Sequence, residues 1–177
     1  MVLRKAVQLD SLFIAKMVMM ALHMGIDEKF YSEMCAVVRR DDTLYSWRNS
    51  ILVEIDGKLV GLCLAYDAAN YHEMRSVTFP LFSSSDSSIH QQADEAYPGE
   101  YYIDSLSVEP DYRKLGIASY LLRDAIEKAK AFSLTPTLLV DPENTQALKL
   151  YAKVGFQYCS EQYAFGKIYQ KWKYFGE

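Results

Sequence analysis

A short segment in the second half of the chain combines two cations with a glycine: residues 113–118 read RKLGIA and follow an apolar stretch typical of a β-strand. If a helix begins near Leu115 or Gly116, its first backbone N–H groups lack intrahelical partners, and its dipole adds partial positive charge. Gly116 has no Cβ to keep an anion away, and Arg113 offers a bidentate contact with Lys114 close by. The segment therefore predicts a pyrophosphate cradle; the alternative is two solvated cations before a helix.

The composition narrows the class of protein. With 177 residues, half of them apolar, we expect one domain spanning residues 1–177. A net charge of -4 gives no general basic surface, so no nucleic-acid partner is expected. Cys35, Cys63 and Cys159 form no CxxC pair and suit buried free thiols in a reducing compartment. With no long apolar segment at the start, we expect a soluble cytoplasmic protein that does not bind membranes.

Periodicity and turn signals predict a mixed α/β sheet without repeats. Asp56-Gly57 between two apolar runs is a strong signal for a two-residue hairpin, and Asp10 is placed to cap the first helix. Residues 68–100 form a long excursion before the central strand. The predicted strands are Leu3–Val7, Ser50–Ile55, Leu59–Tyr66, a strand ending at Val108, Pro136–Val140, Phe156–Gln162 and Lys167–Phe175, and the predicted helices run from Asp10 to Met24, Glu28 to Arg39, Gly116 to Phe132 and Thr145 to Val154.

The frame around the cradle identifies a family. The chain has neither the G-x-x-x-x-G-K-[ST] loop nor G-x-G-x-x-G. It resembles the N-acetyltransferases of the GNAT superfamily, whose signature [QR]-x-x-G-x-[GA] is filled here by Arg113, Gly116 and Ala118. Asn144-x-x-Ala147-x-x-x-Tyr151, followed by Gly-Phe, resembles the family's second motif, and Lys114 stands where many members have glycine.

The resemblance implies a GNAT-like α/β fold: a mixed, mostly antiparallel sheet flanked by helices, with an acetyl-CoA cleft at the fourth strand and the following helix. It implies acetyl transfer from acetyl-CoA, as cosubstrate, directly to a primary amine of a small molecule or peptide. The backbone of the fourth strand would bind the pantetheine arm, and one of its amides would polarise the thioester carbonyl. The implied cosubstrate-binding residues are Leu106, Ser107, Val108, Arg113, Lys114, Leu115, Gly116, Ile117, Ala118, Ser119, Asn144 and Tyr151.

Three candidate site residues each have two interpretations. Asn144 is a good helix N-cap, and in the family the matching asparagine also contacts the cofactor arm. Tyr151 has the spacing of a core residue, whereas the resemblance implies that its phenol protonates the leaving thiolate. Asp104 is costly to bury in an apolar strand unless it is paired or faces a cleft. It is either structural or, by the resemblance, the base that takes the proton of the amine.

Strand alternation predicts the surroundings of Asp104. It places Tyr102, Asp104, Leu106 and Val108 on one face, with Ile103, Ser105 and Ser107 on the other.

The excursion is predicted to be a mobile lid that selects the acceptor. The lid would have aromatic and charged walls and a serine-rich centre; the alternatives are a surface insertion or a contact in a homodimer. The wall residues would be Tyr71, His72, Glu73, Arg75, Phe79 and Phe82.

Two other functions stay open beside the enzyme. They are a sensor that binds acyl-CoA without turnover and a protein that binds a different nucleotide. No metal is expected, because His23, His72 and His90 show no ligand spacing.

Overall fold

The computed structural model describes residues 1–23, 27–83 and 93–176, and these form one sheet with helices on both faces. The predicted mixed α/β class is confirmed, and most element ends lie within three residues of their predicted positions. The strands are β1 (Val2–Lys5), β2 (Ser50–Ile55), β3 (Lys58–Asp67), β4 (Glu100–Val108), β5 (Thr135–Val140), β6 (Phe156–Ala164) and β7 (Lys167–Tyr174), and the helices are α1 (Ser11–Ala21), α2 (Glu28–Val38), α3 (Tyr71–Thr78), α4 (Ile117–Ala131) and α5 (Thr145–Val154).

The strand order is β1-β2-β3-β4-β5-β7-β6, and within the described residues β4–β5 is the one parallel pair. The predicted hairpin joins β2 to β3, with Ile55 opposite Lys58 and positive φ angles of 50° at Asp56 and 76° at Gly57. Positive φ at both central residues matches the strand twist, as in a type I′ turn. The hairpin prediction is confirmed.

Two apolar clusters cover the two faces of the sheet. The first contains Ile14 of α1, Met34 of α2 and Leu62 of β3, all fully buried. The second contains Leu121 and Leu122 of α4, and α5 packs against it. Helices α1, α2 and α3 therefore lie on one face, and α4 and α5 lie on the other.

Asp10 has a different role from the predicted cap. It directly precedes α1, but its side chain accepts no hydrogen bond from the first turn of that helix. Both of its carboxylate oxygens instead accept hydrogen bonds from Arg4 at 2.8 Å, and one also accepts the Val7 N–H. A bidentate arginine is a stronger partner than a single amide. Asp10 thus fastens β1 to the start of α1.

The first part of the excursion packs against the sheet. Residues 71–78 form α3, and Tyr71, Phe79 and Phe82 are buried in the first apolar cluster. The prediction that these rings form the walls of an acceptor pocket is therefore wrong, because apolar burial holds them in the core. The centre of the predicted lid, residues 84–92, lies outside the described residues.

A glycine sets the distance between α4 and the sheet. A Cβ built on Gly61 of β3 would lie 2.9 Å from Ile117 Cγ2 and 3.3 Å from Leu121 Cδ1. Ile117 is branched at Cβ and buried, so its methyl group has little freedom to move away. The first turn of α4 thus rests directly on the backbone of β3.

We predict that Gly61→Ala lowers the free energy of unfolding by about 1–3 kcal/mol, the usual cost of overpacking a core. Urea unfolding followed by tryptophan fluorescence measures this change. The control is Ile117→Ala, alone and in the double variant. If the steric conflict is the cause, the double variant loses less than the sum of the single losses. Additive losses would contradict it.

Candidate active site

The two central strands separate partway along their length. The parallel pairing of β4 with β5 joins residues 100–102 to residues 135–137 and then stops, although β4 continues to Val108 and β5 to Val140. Beyond Tyr102, the backbone groups of β4 on this side are paired with no strand of the described residues. The separation opens a V-shaped cleft whose β4 wall offers free backbone donors and acceptors.

The closed end of the cleft is fastened by buried charges. Lys171 of β7 donates to Glu100 of β4 over a distance of 2.7 Å, and Thr137 of β5 donates to the same carboxylate at 3.3 Å. Lys171 and Glu100 are almost fully buried. This network joins β4, β5 and β7 at the point from which the strands diverge.

The cleft has a volume of about 790 Å³ and brings nearly all predicted site residues together. The exception is Leu115, which does not line it and is 63% exposed. The Leu115 side chain therefore points to solvent, and a contact between its backbone and the cosubstrate stays a prediction. The predicted residues that line the cleft are Asp104, Leu106, Ser107, Val108, Arg113, Lys114, Gly116, Ile117, Ala118, Ser119, Asn144 and Tyr151.

The start of α4 has the form that an anion site needs. Gly116, with φ 81°, is the N-cap, and the first helical hydrogen bond runs from Tyr120 N–H to Gly116 O at 3.0 Å. The N–H groups before Tyr120 therefore lack helical partners. The Ile117 side chain is only 2% exposed, so at the cleft Ile117 offers mainly its backbone. Lys114 has a left-handed φ of 65°, a conformation in which glycine is unstrained.

Arg113 brings a fixed positive charge to this end of the cleft. Its Nε donates to Val108 O at 3.1 Å, and its Nη2 lies 3.5 Å from Met20 Sδ. The first contact ties the guanidinium to the end of β4, next to the free amides of α4. The end of β4, the start of α4 and the positive charge of Arg113 thus lie together at one end of the cleft.

A β-bulge determines where Asp104 points. Ser105 pairs with Leu64 and Ile103 with Ala65, so Asp104 is the extra residue of β4 opposite a single step of β3. The predicted alternation is therefore wrong. Ile103 shares the α4 face with Leu106 and Val108, whereas Tyr102 lies in the cluster on the α1 face. A bulge shifts the alternation by one residue and re-aims the side chain at its centre.

Asp104 is held by two hydroxyls. Tyr66 donates to Oδ2 at 2.8 Å, and Ser105 donates to Oδ1 at 2.9 Å. Burial raises the pKa of Asp104 to about 7, with a further contribution from the nearby carboxylate of Glu95. At neutral pH, a carboxyl group with this pKa exchanges a proton readily.

Sequence reasoning missed Glu95, which lines the same cleft. Its carboxylate accepts hydrogen bonds from Tyr102 at 2.7 Å and Tyr71 at 2.9 Å, and Lys171 donates to its backbone carbonyl at 3.1 Å. Burial also raises the pKa of Glu95. No local pattern marks this residue, since its partners come from α3, β4 and β7. By sequence alone, a glutamate in a loop of mixed composition is indistinguishable from a solvated charge.

Asn144 and Tyr151 lie on the opposite wall. Asn144 Oδ1 accepts the Ala147 N–H at 3.1 Å, so the predicted N-cap of α5 is confirmed. The Tyr151 ring packs edge-on against Phe156 at 6.0 Å, and its hydroxyl forms no hydrogen bond with the described residues. Burial raises its pKa, so the phenol keeps its proton at neutral pH. Tyr151 thus has both the predicted packing role and a hydroxyl available to the cleft.

The described residues give little support for a reactive thiol or a metal site. Burial raises the pKa of the Cys63 thiol to about 12, so little reactive thiolate forms near neutral pH. Within residues 1–23, 27–83 and 93–176, no cluster of three histidine, cysteine or acidic residues has the arrangement of a metal site. In the same ranges, no helix has the length and apolar character needed to cross a bilayer.

Comparison with known proteins identifies the fold and the family. The sequence model of the acetyltransferase (GNAT) family matches residues 19–156. An N-acetyltransferase from Staphylococcus aureus Mu50 superposes with a TM-score of 0.83 at 23% identity, covering 98% of this chain and 100% of that one. A second structure, described as an acetyltransferase, superposes with a TM-score of 0.76 at 24% identity, covering 98% of each chain.

A more distant structure is described as bound to coenzyme A. The PaiA N-acetyltransferase from Thermoplasma acidophilum, in complex with coenzyme A, gives a TM-score of 0.61 at 15% identity, covering 98% of this chain and 97% of that one. At these identities the three structural likenesses concern the fold.

We predict that Asp104 makes the stability of the protein fall as pH rises. Its pKa is about 7 in the folded state against a usual 3.8, so the folded protein binds the extra proton between these values. Stability is therefore lost mainly between about pH 4 and pH 7, by up to about 4 kcal/mol, and then levels off. Between pH 5 and pH 8 the expected loss is about 2–3 kcal/mol.

The test compares urea unfolding of wild type and Asp104→Asn at these two pH values. The variant, neutral at every pH, should lose about 2–3 kcal/mol less over the interval. Asp111→Asn removes an exposed carboxylate and should keep the wild-type pH dependence. Parallel curves for wild type and Asp104→Asn would show that Asp104 titrates normally.

Proposed function

The chain belongs to the GNAT family of acetyltransferases, and on that premise we propose that it moves the acetyl group of acetyl-CoA directly to the nitrogen of a primary amine. The single observation that supports this proposal most is the cleft itself. Free amides of α4 and the cations of Arg113 and Lys114 lie at one end, free backbone of β4 lies along one wall, and groups able to accept and donate protons face the same space.

The residues present fit acetyl-CoA. The amides at the start of α4, from Gly116 to Ser119, offer unpaired donors for a pyrophosphate, and Arg113 and Lys114 add charge beside them. The free backbone of Leu106–Val108 offers the hydrogen bonds of one further strand, which is how an extended amide-containing arm binds at a sheet edge. Asn144 already caps α5 through Oδ1, so its side-chain NH₂ is the group left for the arm.

The proton transfers fall to two residues on opposite walls. Asp104 takes one proton from the amine and passes it to solvent, which leaves a lone pair on nitrogen. As the N–C bond forms and the C–S bond breaks, Tyr151 gives its proton to the sulfur, nitrogen loses a second proton to Asp104 and from there to solvent, and a proton from solvent restores the phenol. The third proton stays on the amide product. A backbone N–H of Leu106–Val108 is the donor available to the carbonyl oxygen.

Direct transfer is favoured over an acyl-enzyme. The buried Cys63 thiol, whose pKa is raised to about 12, is a poor nucleophile near neutral pH. The proposed function is tested by following thiol release from acetyl-CoA over a panel of amines. Amine-dependent release identifies the enzyme, whereas tight binding of coenzyme A without release would identify a sensor.

We predict that Arg113→Ala weakens binding of coenzyme A by about 1.5–3 kcal/mol, the usual contribution of a hydrogen bond to a charged group. Isothermal titration calorimetry measures the loss. A short pantetheine thioester, which lacks the pyrophosphate, should bind both proteins almost equally.

The control for Arg113→Ala is Arg123→Ala. Arg123 is exposed on the same helix and does not line the cleft. That variant should bind coenzyme A like wild type. An equal loss with coenzyme A and with the pantetheine thioester would remove Arg113 from the pyrophosphate site.

We predict that Tyr151→Phe lowers turnover about 100-fold or more, within the usual effect of a general acid, while affinity for coenzyme A changes little. The ring keeps its contact with Phe156, so loss of the hydroxyl is the main change. Steady-state kinetics and calorimetry measure the two effects. Tyr158→Phe, on the exposed surface of β6, is the matched control. Full turnover by Tyr151→Phe would leave Tyr151 with packing alone.

A further inference from the structure

We propose that Glu95 and Asp104 together form a paired-carboxylate subsite that receives the acceptor as a cationic amine and discriminates against amines with a carboxylate on the adjacent carbon. This inference rests on the proposed function and adds the chemical class of the acceptor. Glu95 acts as a specificity residue that contacts the ammonium group, and Asp104 takes its proton.

The two carboxylates lack a cation partner in the part of the chain that the structure describes. Neither Glu95 nor Asp104 forms an ion pair with a described residue. The two basic side chains nearest to Glu95 each have an acidic partner: Arg75 pairs with Asp94 at 3.2 Å, and Lys171 pairs with Glu100 at 2.7 Å. Lys173 also pairs with Glu100, at 3.3 Å, so among the described residues three Lys and Arg side chains stand against the four carboxylates of Asp94, Glu95, Glu100 and Asp104. Negative charge therefore exceeds positive charge by one at this end of the cleft, and an excess of this kind is relieved by a proton or by a bound cation.

A frame of hydroxyls fixes both carboxylates. Tyr66 donates to Asp104, and Tyr71 and Tyr102 donate to Glu95. Their rings contact each other at centroid distances of 6.0–6.4 Å, so the three phenols form one rigid group. The titratable and charged groups that face the pair are Tyr45, Cys63 and Tyr66 of β3, Tyr71 and Arg75 of α3, Tyr102 of β4, and Tyr169 and Lys171 of β7.

The frame also limits what the pair accepts. The three phenols already use part of the hydrogen-bonding capacity of each carboxylate. The lone pairs that remain on the carboxylate oxygens can accept hydrogen bonds from the N–H groups of an ammonium ion. A carboxylate next to the reacting nitrogen would enter a space that already holds two acidic groups. Juxtaposed like charges in a desolvated site are strongly unfavourable. Free amino acids are therefore poor acceptors, and amines without that carboxylate are good ones.

The reaction balances with this subsite. An ammonium group brings three protons and one positive charge: two protons pass in turn through Asp104 to solvent, one returns from solvent to Tyr151 after its phenol has protonated the sulfur, and the third stays on the amide. Glu95 exchanges no proton with the acceptor. Its charge holds the ammonium and keeps the proton affinity of Asp104 high.

The experiment is a thiol-release assay with acceptors matched in pairs: tyramine with tyrosine, agmatine with arginine, and histamine with histidine. In each pair we expect kcat/KM to be at least about tenfold higher for the amine without the carboxylate. Tyrosinamide, which keeps the bulk of tyrosine but not its charge, should behave more like tyramine. Tyrosine turned over as fast as tyramine overturns this inference alone, whereas no release with any acceptor overturns the proposed function as well.

Glu95→Gln tests the residue itself. The substitution keeps the size of the side chain; because Tyr71 donates to Oε1 and Tyr102 to Oε2, the amide oxygen keeps one of these hydrogen bonds, and the amide NH₂ can donate to the oxygen of the other phenol. We expect kcat/KM for tyramine to fall about tenfold, mainly through KM, and the ratio between tyramine and tyrosine to shrink. The midpoint of the acid limb of kcat/KM against pH should move to lower pH, because Asp104 loses a neighbouring negative charge.

Glu161→Gln is the charge-matched control, since it removes one negative charge from an exposed side chain of β6 that does not line the cleft. It should leave the acceptor ratio and the pH midpoint at their wild-type values. Thermal unfolding checks that both variants are folded, and calorimetry checks that both bind coenzyme A. If folded Glu95→Gln keeps the wild-type ratio and midpoint, Glu95 is structural and the paired subsite is wrong.

Discussion

The separation of β4 from β5 is the constraint on which the site depends. The strands pair only over residues 100–102 and 135–137, and a sheet that stays paired would satisfy its own backbone and leave no cleft. Glu100, Thr137 and Lys171 fasten the closed end. A buried ion pair of this kind adds little net stability, but it fixes which strands meet and where they part. The open end can then offer unpaired backbone to a ligand without loosening the rest of the sheet.

The cleft has opposite electrostatic character at its two ends. Arg113 and Lys114 stand beside the free amides of α4, whereas Glu95 and Asp104 lie where the strands begin to part. The overall charge of -4 hides this division. An elongated ligand with an anionic end fits in one direction, which brings its other end towards the carboxylates. Orientation of this kind reduces the entropic cost of bringing two reactants together.

Local signals in the sequence predicted much of the fold and part of the site. Asp56-Gly57 specified its hairpin, Asn144 its cap, and the RKLGIA segment the start of α4, because each rests on a few neighbouring residues. The errors arose where contacts between residues far apart in the sequence determine the structure. One extra residue in β4 shifted the faces around Asp104, and apolar burial took Tyr71 into the core. Glu95 has partners from three separate elements, which no local pattern reveals.

The two carboxylates of the proposed subsite oppose folding when both are charged, and hydrogen bonds from tyrosines hold both of them in place. Asp104 and Glu95 are half-buried and form no ion pair with a described residue, which costs free energy at neutral pH unless a proton or a ligand compensates for it. The tyrosine frame lowers that cost without removing it, because a phenol donates a hydrogen bond but brings no charge. A cationic acceptor would supply the missing charge, so binding and stability are linked. With such an acceptor, the imperfect electrostatic balance of the free protein would become part of the affinity for the amine.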